Sequence, residues 1–104
     1  MAYGQPYAPV DLRLARAAAA ARLRDALAQA LHAVHLCLYG PCGPGGREAA
    51  CARVLMVIDM RNYASDLCER DPECPDEWRG AIAIVDAVIA ELVDACGVLR
   101  LRER

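Results

Sequence analysis

Apolar side chains recur along this chain at helical spacing in three blocks, divided by two short stretches that no helix tolerates. Pro6 and Pro9 mark an irregular leader over residues 1–9. From Asp11, placed to cap a helix or sit in its first turn, helix-forming residues run unbroken to Tyr39. Gly40 and Pro41 stop them. On a helical wheel Leu12, Leu23, Leu27, Ala30, Leu31, Val34 and Leu38 share one face, and Arg24, Asp25, Gln29 and His32 lie largely opposite. Such a helix spans about 45 Å.

The loop Gly40-Pro41-Cys42-Gly43-Pro44-Gly45-Gly46 leads into a second helix from about Arg47 to Arg70. Met56, Val57, Met60, Ala64 and Leu67 form its stripe, with Val54 and Cys68 at the edge, and Asp59, Asn62, Asp66 and Glu69 form its wet face. Asp71-Pro72-Glu73-Cys74-Pro75 breaks it. A third helix starts at Asp76, its expected N-cap, and ends at Gly97, which suits the left-handed position after a helix. Trp78, Ile82, Val85, Ile89, Leu92 and Cys96 recur at alternating steps of four and three, a heptad-like seam. The tail, residues 98–104, alternates apolar residues with Arg and reads as a short edge strand or a frayed end.

These elements predict one all-α domain over residues 1–104: an up-down-up antiparallel three-helix bundle with a long first helix. Ile84, Val88 and Val93 widen the third helix's apolar face to roughly half its circumference. Two neighbours leave part of that face bare, so completion by dimerisation is expected, with Ile84 and Val88 at the binding surface.

Composition sharpens the picture. Apolar residues make up 57 % of the chain, much of it Ala, and there is no Phe. That favours closely packed helices over a sheet. The twelve basic residues are all Arg, which reads as a compositional bias. Residues 1–58 carry six Arg against three acids (+3), and residues 59–104 six Arg against eleven acids (−5). The split suits antiparallel self-association or a charged protein partner. It is not the clustered basic patch of a duplex binder, so nucleic acid is not expected. No apolar run is long enough for a membrane span, and Arg13, Arg16, Arg22, Arg24 and Asp25 interrupt any signal-like segment, so a cytoplasmic protein is expected.

Candidate chemistry rests on six cysteines. Their spacing includes no Cys-x-x-Cys, so topology says more than sequence. An up-down-up bundle gathers Cys37, Cys42, Cys51 and Cys96 at one pole and sets Cys68 and Cys74 across the other loop. Three readings stay open. In a reducing compartment the thiols are small buried hydrophobes. In an oxidising one they form a 68–74 bridge and two more among the remaining four. As a closed four-thiolate set, the crowded pole suits zinc or copper. His32 and His35 lie well around the helix from Cys37 and read as solvated.

Arg61 falls on the inner side of the second helix. It reads as an anion-binding guanidinium or, preferably, as a stem packed on the core with its head paired to an acid across an interface. No nucleophile–base–orienter set is visible, and the loop glycines match no phosphate-binding motif, so an enzyme is not expected. The favoured function is a small helical interaction module, a regulator, adaptor or inhibitor that binds another protein or a second copy. The rival is a thiol-based metal-binding or redox-responsive protein.

Overall fold

A computed structural model describes residues 9–102, and within them the chain is three α-helices with no strand. Helix α1 runs Pro9–Tyr39, α2 Gly46–Arg70 and α3 Asp76–Arg102. At 31, 25 and 27 residues respectively, α1 is the longest by about one turn. The helices run up, down and up, so α1 and α3 lie parallel and α2 antiparallel to both. The bundle is elongated and flattened, 58 × 28 × 18 Å.

The core is built from small side chains. Ala30, Ala50 and Ala64 have no exposed surface, and Val34, Val54, Val57, Leu67, Leu92 and Cys96 fill the space between them. Alanine at the contact lets helix axes approach closely while contributing little apolar area of its own, which explains a high apolar share without aromatics. Trp78 is half-buried, and its indole N–H donates to the Ala64 carbonyl at 3.4 Å, fixing the start of α3 on α2.

Three expectations need correction. The helix periodicity of α3 does not stop at Gly97: the helix continues to Arg102, and Leu99 is 0 % exposed. Gly97 does not take the left-handed conformation expected of it, for Gly45 is the glycine with positive φ. Burying Leu99, with Arg102 donating to the Leu38 carbonyl at 3.2 Å, outweighs the cost of a mid-helix glycine of about 1 kcal/mol. There is accordingly no edge strand in residues 98–102. At the other end, Pro9 belongs to the first turn of α1, where a missing N–H costs nothing. Residues 1–8 of the expected leader and the last two residues of the tail lie outside the described residues.

Second, Met56 and Leu31, both assigned to core stripes, are 50 % and 45 % exposed. Third, Asp76 stands inside the first turn of α3 with Glu77, where both carboxylates suit the helix macrodipole.

The connection from α1 to α2 depends on two glycines. Gly45 precedes α2 at φ 73°, a conformation costly to any residue with a Cβ. A Cβ on Gly46 would stand 2.8 Å from the Cys42 sulfur and 3.7 Å from that of Cys37. The first residue of α2 is therefore a seat for the cysteines beside it.

Candidate functional site

The side of the bundle between α1 and α3 is open. Helix α2 packs on both neighbours, whereas α1 and α3 barely meet, and the gap between them holds two cavities in line. The first, about 190 Å³, is lined by Ala20, Leu23 and Leu27 from α1, Trp78, Ala81, Ile82 and Val85 from α3, with Ala64 at its floor and Arg24 at its edge. The second, about 440 Å³, lies nearer the C-terminal ends, between Leu31, Val34 and Leu38 of α1 and Val88, Leu92 and Ala95 of α3. His32 and His35 stand on its α1 side and Glu91 on its α3 side. The His35 ring leans on Tyr39, with centroids 5.0 Å apart.

This groove accounts for the exposure of Leu31. Leu31 was read as core because it shares the face of Leu27, Val34 and Leu38, and it does share that face; the face looks into the groove. Val88 is half-buried in the groove wall, and Ile84, one turn before it, is 69 % exposed on the outer flank. Of the two residues expected at a binding surface, Val88 lines the second cavity and Ile84 lies outside both cavities on the exposed face of α3.

The six cysteines fall at the two poles as the topology requires. Cys68 and Cys74 are disulfide-bonded across the α2–α3 loop, with Cα atoms 5.4 Å apart. Cys37 and Cys42 are bonded across the end of α1, with Cα atoms 4.5 Å apart. Cys51, half-buried in α2, and Cys96, buried in α3, are free thiols that pack in the same apolar cluster. Burial, reinforced by Cys51 and opposed by Arg100, pushes the Cys96 thiol up to about 12. The four cysteines of the thiolate proposal do share a pole, but as one bridge and one thiol pair. Among the described residues no group of three or more His, Cys, Asp or Glu is placed to hold a metal.

Arg61 is committed to Asp86 across the α2–α3 interface. Its Nε donates to Oδ1 at 2.6 Å and its Nη2 to Oδ2 at 2.9 Å, a fork-to-fork pair. The hydrogen bonds to Asp86 hold the guanidinium even more firmly in its charged form. The pair is partly exposed, so its value lies more in setting the register of the two helices than in stability.

A second ion pair was not anticipated. Arg16 of α1 meets Asp71 in the α2–α3 loop, with side chains only 13 % and 11 % exposed. The Asp71 carboxylate also accepts the Glu73 N–H at 2.9 Å, and its backbone N–H bonds the Cys68 carbonyl at 3.2 Å. Asp71 thus closes α2, shapes the bridged loop and clasps α1. The sequence does carry a signal for Arg16: with Leu12, Ala19 and Leu23 it follows the four-three-four spacing of a buried stripe.

Comparison with known protein families, with characterised proteins and with solved structures finds no match to this chain.

Proposed function

We propose that the protein is a helical interaction module, a regulator, adaptor or inhibitor acting by protein binding, and that the α1–α3 groove is its docking surface. The observation that carries this reading is the groove itself: two mainly apolar cavities in line between α1 and α3, with Leu31 and Val88 in the second and exposed Ile84 one turn before Val88. Exposed apolar surface of this kind marks an interface. The occupant we favour is a second copy. Arg24, His32 and His35 stand on the α1 side and Glu91 on the α3 side, and the chain's first half is basic and its second acidic. A two-fold pairing lays α1 of one subunit along α3 of the other and matches those charges.

Sedimentation equilibrium at micromolar concentration tests the pairing, with a mass of twice 11.2 kDa expected. Val88→Glu and Ile84→Glu each return the mass to 11.2 kDa with helix content unchanged on circular dichroism. A wild-type mass that stays at 11.2 kDa overturns the homodimer and leaves the groove to an amphipathic helix of another protein. Loss of helix in Ile84→Glu would mean that this face is core.

The thiol alternative is narrowed by the cysteine pairing. With Cys37 and Cys42 bonded to each other, zinc or copper at that pole would find two thiolates, Cys51 and Cys96, where a closed tetrahedral site takes four ligands. Two disulfides in a chain this small also favour an oxidising compartment over the cytoplasmic one expected from sequence.

A further inference from the structure

We propose that Cys51 and Cys96 are the two halves of a third, reversible disulfide that staples α2 to α3 at the end of the groove. Four cysteines are already paired with near neighbours in sequence, at separations of 5 and 6 residues. The remaining two come from different helices, 45 residues apart, yet Cys51 lies near enough to Cys96 to help raise its thiol.

The register of the hairpin explains the meeting. The Arg61–Asp86 pair sets which levels of α2 and α3 face one another. Ten residues further from the connecting loop on each helix, roughly 15 Å along the axes, stand Cys51 and Cys96. Both pack in the same apolar cluster. The last turns of α3 are pinned there by buried Leu99 and by Arg102 on the Leu38 carbonyl, so the sulfurs are held at the same level without a covalent link.

The two thiols differ in a way that assigns their roles. Cys51 is half-buried and meets a reagent from solution first. Cys96 is 6 % exposed, reaches no reagent directly, and has Cys51 as its neighbour. The oxidant is a low-molecular-weight disulfide. The Cys51 thiolate attacks one of its sulfurs, forming a mixed disulfide and expelling one thiolate, which takes up the Cys51 proton. Cys96 then gives up its proton and attacks the Cys51 sulfur, expelling the second thiol. Two protein thiols become one disulfide, and one small disulfide becomes two thiols. Because burial keeps Cys96 protonated, the second step is the slow one, and the pair persists as thiols until an oxidant engages Cys51.

The staple has a bearing on the docking surface, although it does not depend on it. Leu92 and Ala95, one turn and one residue before Cys96, line the larger cavity. Fixing Cys96 to α2 fixes that wall of the groove.

The test uses the protein with its two existing bridges intact and oxidised glutathione as the probe. Trypsin releases Cys51 in peptide 48–53 and Cys96 in peptide 80–100, while Cys37 and Cys42 share peptide 25–47. After oxidation, alkylation and non-reducing digestion, peptides 48–53 and 80–100 are expected joined, and the intact mass falls by two hydrogen atoms. The bridge closes a long loop, so the melting temperature rises by on the order of 10 °C. In Cys96→Ser the reaction stops at glutathione on Cys51, which shows that Cys96 is the closing thiol. The proposal is overturned if both thiols are still alkylated after oxidation, or if wild-type Cys51 keeps its glutathione. It is equally overturned if Cys51 is found joined to peptide 25–47, or if the 51–96 bridge forms but lowers the melting temperature. These readouts concern covalent bonds within one chain, so they stand whether or not the groove binds a second copy.

Discussion

Replacing Gly97 with alanine tests the course of α3 by the sign of the stability change. If the helix passes through this position, as the structure has it, alanine gains helix propensity and the unfolded chain loses freedom. Both effects favour the variant, by about 0.5–1 kcal/mol together. Nothing stands within 4 Å of the added Cβ, so no steric cost offsets the gain. If Gly97 instead closed the helix in the left-handed conformation, the Cβ would meet the following carbonyl and cost about 1–2 kcal/mol. Urea unfolding followed by circular dichroism, with the disulfides kept intact, separates the two. At an m-value of about 1–1.5 kcal/mol/M the expected gain moves the midpoint up by roughly half a molar. An unchanged m-value assigns the shift to the native helix. A midpoint that falls would refute a continuous α3 and restore the helix end at Gly97.

Leu99→Ala probes the same segment through packing. Complete burial in a core of small side chains predicts a loss of about 3 kcal/mol, or roughly 12–24 °C in melting temperature, against a change within about 0.5 kcal/mol for Leu101→Ala at the exposed face. Equal effects of the two would mean that the tail is frayed. The raised Cys96 thiol makes a prediction in pH. Its proton is held more tightly in the folded chain than in the unfolded one, so its contribution to stability is complete below pH 9 and is lost as pH rises towards about 12. Thermal melts across that window should fall more steeply for the wild type than for Cys96→Ala, and parallel curves would contradict the assignment.

The fold was legible because it depends on periodicity and punctuation. Gly40-Pro41 and Asp71-Pro72 interrupt apolar stripes in ways no tertiary contact can override, and α1 and α2 end at the residue before each pair, Tyr39 and Arg70. Gly97 misled because a lone glycine costs only about 1 kcal/mol in a helix, less than one buried leucine returns. The stripes showed which way each face turns but not whether a neighbour covers it. Leu31 and Met56 have the spacing of core residues, yet both are about half exposed, because a wheel gives the direction of a side chain and not whether a neighbouring helix covers it. The cysteines divided between the poles by topology alone. The 68–74 bridge was legible from the loop it spans, whereas the partner of Cys37 was not, because three other cysteines share its pole and only the α1–α2 connection brings Cys42 to it. Arg16 sat on a legible stripe, but its partner in a loop had no period to betray it.

The two existing bridges have a consequence for the order in which the bundle assembles. Each closes a loop of only a few residues and seals a corner between consecutive helices. Neither restricts the unfolded chain over any long range, and neither joins α1 to α3. Folding can therefore proceed as two hairpins that share a middle helix, each with its turn already bolted, and the closing of the first helix on the third is not a step that the rest must await. A chain built this way can finish folding with one seam still unsewn.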